Sequence, residues 1–142
     1  MALVNLDTSG MTRLLEELDR LGGDVKQVTE KALRKAAVRV MNDTLTATSA
    51  ANFPAGGAYS SGDTRESVIH FPKVVWDGDT AYVPIGFDFS LPGAGGFLIS
   101  GTPRMAPDQA LRKMYKQKGY MAGIQRGMQE EIWDEIVRIM EG

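Results

Sequence analysis

The sequence predicts one α+β domain, in which a small, mostly antiparallel β-sheet packs against a long N-terminal and a long C-terminal helix. Three observations predict this fold class. Apolar residues recur at helical spacing toward both ends of the chain, strand-like runs occupy the middle, and the length of 142 residues fits one domain of ordinary size. We therefore expect residues 1–142 to form a single domain.

Composition excludes several classes of protein. The chain has no cysteine, so it can form no disulfide framework, thiolate zinc site or cysteine nucleophile. Its net charge of −2 differs from the basic excess of a general nucleic-acid binder, and no sequence-specific nucleic-acid binding is expected. No apolar run approaches the roughly 20 residues of a membrane span. The first seven residues lack the basic and apolar segments of a signal peptide.

Two helices are predicted in the first third of the chain. The first covers residues 9–21, with Thr8 or Ser9 as its N-cap and a glycine pair at its end. Asp24 is the predicted N-cap of a longer second helix, whose apolar pattern fades at residues 46–51. Basic side chains cover the polar face of this second helix and are interpreted as facing either solvent or a partner: Lys26, Lys31, Arg34, Lys35 and Arg39.

Two strands joined by a tight turn are predicted in the middle of the chain. Residues 65–71 form the first strand, and residues 73–76 continue or follow it. The Asp77-Gly78-Asp79 turn leads to the second strand, residues 80–86, because Asp-Gly between β-rich runs is a strong hairpin signal. Pro84 has no N–H to donate to a ladder, so we expect it at a sheet edge or at a bulge.

Two glycine-rich segments, near residues 52–63 and 87–96, are predicted to be mobile loops. A loop of about 12 residues is long enough to imply either a function or disorder. Each segment carries two aromatic side chains, which are either packing anchors of the loop or contacts that become ordered on assembly. These interface candidates are Phe53, Tyr59, Phe87 and Phe89.

The final helical region is predicted to begin at Pro107-Asp108, since proline suits the first position of a helix. Glycine recurs there at every fourth position, and each glycine costs about 1 kcal/mol relative to alanine in a helix interior. We expect a break or kink at Gly119 that yields two helices. Gly123 and Gly127 are then expected to face a packed neighbour.

Charge is segregated along this final region. Residues 104–126 contain six basic residues and one acid, whereas residues 130–141 contain five acids and one base. This order opposes the helix macrodipole and does not stabilise an isolated helix. It is favourable if oppositely charged ends meet across a repeated subunit boundary. The charged interface candidates are Arg112, Lys113, Lys116, Glu130, Glu131, Asp134 and Glu135.

No catalytic, cofactor-binding or metal-binding residue is predicted. The single histidine, His70, lies in an apolar strand-like run and is interpreted as structural, because no nucleophile-elbow pattern accompanies it. A small hydrolase or nucleotide-binding enzyme is an alternative, and a module that binds a host protein is another. The enzyme would need a pocket built from acids whose spacing marks no site: Asp63, Glu66, Asp77, Asp79 and Asp88.

Four segments of the chain resemble one known family. Gly62-Asp63-Thr64-Arg65-Glu66-Ser67-Val68 is similar to its Gly-x-Leu-Arg-x-Ser-Ile segment, and Val83-Pro84-Ile85-Gly86 is similar to its second strand. Phe97-Leu98-Ile99-Ser100-Gly101-Thr102 resembles its Phe-Leu-Glu-Phe-Gly-Thr segment, and residues 105–110 occupy the position of its Met, Pro and Ala pattern. The family comprises the neck, tail-completion, minor tail or head–tail joining proteins of long-tailed bacteriophages.

This resemblance covers roughly residues 10–140 in element order and implies a structural virion protein that is not an enzyme and needs no cofactor. Members of the family lie between the head-side connector and the tail tube, or complete the upper end of the tail. They assemble as rings, commonly six-fold. The implied partners are copies of this chain, in a hexameric ring, and other phage neck, connector or tail proteins. The implied location is the virion, after assembly in the host cytoplasm.

The predicted core combines the apolar stripes of the helices with the inward positions of the strands. Its expected members are Leu14, Leu18, Val28, Leu33, Val40, Val68, Trp76, Val83, Ile85, Ile124, Met128 and Ile132.

Overall fold

Two long helices pack with a three-stranded antiparallel sheet, and the α+β prediction is confirmed. The computed structural model describes residues 2–47, 67–70, 72–78, 80–88 and 109–142. A 3-10 turn at Ser9–Met11 follows the first strand. The strands are β1 (Ala2–Asp7), β2 (Val75–Asp77) and β3 (Thr80–Asp88), and the helices are α1 (Thr12–Arg20), α2 (Val25–Ala47), α3 (Gln109–Tyr115) and α4 (Lys118–Glu141).

The N-terminal strand β1 carries no prediction from the sequence, yet it forms most of the sheet's pairing. The strand order is β1-β3-β2, so β3 is the central strand. β1 runs antiparallel to β3, with Leu6 opposite Val83 and both side chains buried. The Thr8 side chain extends this pairing, because its hydroxyl accepts a hydrogen bond from the Ala81 N–H at 3.2 Å.

The hairpin between β2 and β3 is confirmed. Asp77 pairs with Thr80, and Gly78 adopts a φ of 61°, the left-handed conformation that a tight hairpin turn requires. The predicted strand at residues 65–71 is wrong over its described part, where Val68 forms only an isolated bridge with Phe87. The second predicted loop begins too early, because Phe87 and Asp88 are the last two residues of β3.

Pro84 lies in the central strand, so its predicted place on an edge strand is wrong, whereas the register of β3 against β1 shifts directly after it, between Ile85 and Asp88. Successive peptide groups of a strand point to opposite sides. Ala81 bonds to Thr8 on the β1 side, whereas the Gly86 carbonyl accepts from Ile69 on the other side at 2.8 Å. The backbone nitrogen of Pro84 therefore points to the same side as the Gly86 carbonyl, which is the side away from β1. On that side Pro84 lies beyond the end of β2, whose pairing with β3 stops at Tyr82. The missing N–H of Pro84 therefore breaks no ladder to β2.

The signals at the helix ends are mostly confirmed. The Asp24 carboxylate accepts a hydrogen bond from the Gln27 N–H at 3.0 Å, as an N-cap does. Gly22 has a φ of 82°, and the Gly23 N–H donates to the Leu18 carbonyl at 2.9 Å, which ends α1 in a Schellman motif. Neither Thr8 nor Ser9 caps the start of the first helical segment. Asp7 does so instead, by accepting hydrogen bonds from the Ser9 N–H and hydroxyl.

The final region contains two helices, as predicted, but the break precedes Gly119. Gln117 has an extended backbone, with φ −92° and ψ 138°, and α4 begins immediately after it. A Cβ added to Gly123 or Gly127 would meet nothing within 4 Å, so the prediction that these glycines face a packed neighbour is wrong. The predicted helix start at residues 107–108 lies outside the described residues.

The core joins both long helices to the sheet. Nine of its twelve predicted members are buried, and Leu14, Val28 and Trp76 are partly buried against them. Side chains missing from that prediction are buried as well, and they include Leu6, Met11, Phe87, Leu111, Met114 and Ile136. This core fixes which sides of α2 and α4 face outward.

Candidate interaction surface on the last helix

Helix α4 has one buried side and one exposed side. Its buried residues recur at every fourth position: Ile124, Met128, Ile132 and Ile136. Opposite them lies a surface that we call the outer face of α4. At 100° per residue its members fall within about 100° of one another. They are Gly119, Ala122, Gly123, Arg126, Glu130, Trp133, Val137 and Met140.

The outer face exposes large apolar side chains. Trp133 is 51% exposed and Met140 is 66% exposed, and half-buried Val137 lies between them on the same side of the helix. A single exposed apolar side chain is common, whereas several on one face indicate an interaction surface. Of the adjacent residues Ile139 and Met140, Ile139 packs against the core and Met140 lies in solvent.

Ion pairs connect the inner edge of α4 to α2. The Glu131 carboxylate lies 3.1 Å from Lys35 Nζ and 3.8 Å from Lys31 Nζ. Arg34 pairs with Glu30, and Arg39 with Asp43, both along α2 itself. The predicted basic face of α2 is therefore exposed but largely paired within the chain. Such exposed pairs contribute little to stability, typically about 0.2–1 kcal/mol each.

Two tyrosines fasten the C-terminal part of α2 to the last two helices. The Tyr115 hydroxyl lies 2.6 Å from the Thr44 hydroxyl, and the Tyr120 hydroxyl donates to the Asp43 carboxylate at 2.6 Å. Burial raises the pKa of Tyr115 to about 12. Burial first, and then the hydrogen bond to Asp43, raise the pKa of Tyr120 above its ordinary value. Both hydroxyls therefore keep their protons at physiological pH and are suited to structural hydrogen bonds.

The four acidic interface candidates divide into two pairs. Glu131 bonds to α2, and Glu135 forms an ion pair with Arg138 on its own helix, which holds the pKa of Glu135 below its ordinary value. Glu130 and Asp134 are exposed and form no ion pair with any residue that the structure describes. Of the four, Glu130 and Asp134 are thus the carboxylates available to a partner.

The basic candidates Arg112, Lys113 and Lys116 are exposed on α3 and on the turn after it. Of the four aromatic candidates, the structure describes only Phe87. Phe87 is buried with 1% of its surface exposed, and its ring lies 6.3 Å from that of Tyr115, so it belongs to the core. The other three, Phe53, Tyr59 and Phe89, lie outside the described residues.

The acids considered for an enzyme do not converge where they can be located. Asp77 ends β2 beside Thr80, whereas Asp88 ends β3, eight residues farther along, or about 26 Å at 3.3 Å per residue. His70 is exposed. Asp63, Glu66 and Asp79 lie outside the described residues. Over the described ranges, no three His, Cys, Asp or Glu side chains are grouped as metal ligands, and no helix is long and apolar enough to cross a membrane.

A surface cleft of about 410 Å³ opens between α1, the start of α2 and the hairpin. Its lining includes Thr12, Leu15, Glu16, Asp19 and Trp76. The Trp76 indole N–H donates to Glu30 at 2.8 Å, so this side chain ties the hairpin to α2. The two carboxylates in the lining, Glu16 and Asp19, are exposed.

No protein-family model, curated protein or solved structure matches this chain. The outer face of α4 is therefore interpreted from its own geometry. Sequence reasoning found its charges but missed Trp133, although the spacing of residues 133, 137 and 140 on the side opposite the core stripe was a usable signal.

Proposed function

We propose that this chain is a structural assembly protein of a siphophage-like particle. In this proposal it acts at the head–tail junction or the upper end of the tail, as a tail-completion or head–tail joining protein. It forms a ring, hexameric in the particle, and docks to other neck, connector or tail proteins. It performs this role through its surfaces and without catalysis.

The observation that carries the proposal is the outer face of α4, where exposed apolar side chains and unpaired charges accumulate on one long, well-packed helix. Such a face suits a protein that works by contact. The element order supports the same reading, because two long helices flank an antiparallel hairpin as the family resemblance implies. The segments flanking the hairpin contain the three remaining aromatic candidates for docking, Phe53, Tyr59 and Phe89.

A deletion of the gene in its phage or prophage tests this proposal. We expect particles that lack joined tails or carry incomplete ones, seen by negative-stain electron microscopy, and a loss of infectivity that a plasmid copy restores. A particle reconstruction should then locate the chain at the neck or upper tail. Complete, infectious tailed particles from the deletion strain would refute the proposal.

The complementation assay also tests the acidic surface. Asp134→Lys reverses the charge of an exposed carboxylate that forms no ion pair with a described residue, and we expect fewer tailed particles from this variant. Glu16→Lys, at an exposed acid on α1, is the matched control because it changes the net charge equally. Equal particle yields from the two variants would exclude this acidic surface from docking.

A further inference from the structure

The outer face of α4 divides into a half with large side chains, which we call the large half, and a half with small side chains, which we call the small half. Its C-terminal half carries Trp133, Val137 and Met140, whereas its N-terminal half consists of Gly119, Ala122 and Gly123. A Cβ added to either glycine would meet nothing within 4 Å. The small half is therefore an unoccupied surface on which bulky side chains of another helix can rest.

Charge on the outer face follows the same division. Arg126 marks the end of the small half and Glu130 the start of the large half, one helical turn later. Both are exposed, and neither forms an ion pair with a described residue. Beyond them, Lys116 lies before the small half and Glu141 after the large half. One end of the face is thus basic and small, and the other is acidic and large.

We propose that α4 pairs with α4 of a second copy of this chain, antiparallel about a two-fold axis near the level of Met128. Residues whose numbers sum to 256 then lie at the same height on the two helices. Arg126 of each copy faces Glu130 of the other, Trp133 rests on Gly123, and Val137 rests on Gly119. A two-fold contact of this kind is self-complementary, so every pairing occurs twice.

The antiparallel direction follows from the same residues. A parallel pair would set Trp133 against Trp133 and Arg126 against Arg126, which opposes like charges and leaves the glycine surface empty. The antiparallel pair matches large with small and basic with acidic over the 19 residues from Gly119 to Val137, which span about 27 Å. The charge complementarity of Arg126 and Glu130, together with the match of large to small side chains, therefore selects a second copy as the occupant.

The strength of the pair follows from its size. One pair of helices forms an interface at the small end of specific contacts, below about 1,200 Å² in total. We expect a reversible dimer with a micromolar dissociation constant, weakened by salt because its ion pairs lie at the surface. A two-fold contact joins only two copies, so the proposed ring would have to be closed by a second surface of the chain. Purified protein tests the pair, whereas phage particles test the role in assembly, so the failure of one is distinguishable from the failure of the other.

Sedimentation equilibrium measures how strongly the full chain associates with itself. The concentration should cover about a hundredfold range around micromolar. We expect a monomer–dimer equilibrium. Arg126→Glu makes all four facing charges acidic, and Glu130→Arg makes all four basic, so each variant alone should be monomeric. An equimolar mixture of the two should form heterodimers, because every facing pair is then complementary again.

Two further variants serve as controls. Lys26→Glu changes an exposed base on α2 that forms no ion pair with a described residue, and it should leave the dimer unchanged. Trp133→Ala should weaken association at least tenfold, whereas Val38→Ala, which truncates an exposed apolar side chain on α2, should not. Circular dichroism of each variant confirms that it is folded.

Three outcomes would overturn the inference. The first is a chain that stays monomeric at every concentration. The second is a dimer or larger ring that forms equally well with Arg126→Glu or Trp133→Ala, since another surface then holds it together. The third is an equimolar mixture of the two charge variants that fails to associate.

Discussion

At the scale of single residues, two tyrosines decide how the C-terminal helices meet α2. Tyr115 and Tyr120 bond to the neighbouring residues Thr44 and Asp43, from two different helices. Tyr115 meets both needs, because its aromatic ring packs against the core while its hydroxyl reaches a polar partner.

Raising the pH above about 10, where unfolded tyrosine ionises, should destabilise the folded chain. Folded Tyr115 keeps its proton to about pH 12, so between these values the unfolded state binds fewer protons. The free energy of unfolding then falls as pH rises, by up to about 1.4 kcal/mol per pH unit for one such group. The stabilisation is fully present below pH 10 and is lost toward pH 12. Urea unfolding at a series of alkaline pH values measures this slope.

Tyr115→Phe should make that slope shallower, since one of the two tyrosines whose pKa is raised in the folded state is gone, while Tyr120 keeps its contribution. The range below pH 10 is the internal control, because the variant and the wild type should show the same pH dependence there. A wild-type slope in Tyr115→Phe would contradict the assignment.

At the scale of elements, the sequence correctly predicted the features that depend on hydrogen bonds between residues close together in the chain. The Asp24 cap, the glycine stop after α1 and the Asp-Gly hairpin each depend on neighbours in sequence, and all three are confirmed. The strand predicted at residues 65–71 depended on distant partners. Its described part pairs with β3 only locally, through the Val68–Phe87 bridge and the backbone hydrogen bonds from Ile69 to Gly86 and from Asp88 to Ser67. β-propensity alone does not extend such a bridge into a strand.

Gly22→Ala should destabilise the chain by about 1 kcal/mol, because a side chain is strained in the left-handed conformation that ends α1. Gly22 has a φ of 82°, and nothing lies within 4 Å of an added Cβ, so backbone strain alone sets the cost. Gly10→Ala has the same open surroundings without the positive φ. Thermal unfolding should therefore separate the two variants, and equal melting temperatures would exclude the strain.

At the scale of the whole molecule, the central strand depends on the N-terminal one. β3 pairs with β1 along much of its length but with β2 over only three residues. Without β1 the sheet would reduce to a short hairpin, which is marginal in water. Both ends of the chain therefore contribute to one core, β1 through the sheet and α4 through its buried stripe.

Deletion of residues 2–7 should abolish cooperative unfolding, since it removes buried Leu6 and the main partner of β3. Removing the exposed residues Glu141 and Gly142 instead should leave the unfolding midpoint nearly unchanged. Urea titration followed by circular dichroism compares the two truncations. A wild-type midpoint in the chain without residues 2–7 would show that β1 is dispensable.

The sequence by itself determined the fold class, the order of the long helices, the Asp24 cap of α2, the hairpin and most of the core, because these depend on periodicity and local hydrogen bonds. It also located the charges of α4. Only the tertiary structure decided that β3 is central and that Pro84 lies within it, since strand order depends on contacts between residues about 80 positions apart. The packing of α4 against α2 likewise decided that Glu131 is bound within the chain, whereas Arg126, Glu130 and Trp133 face outward.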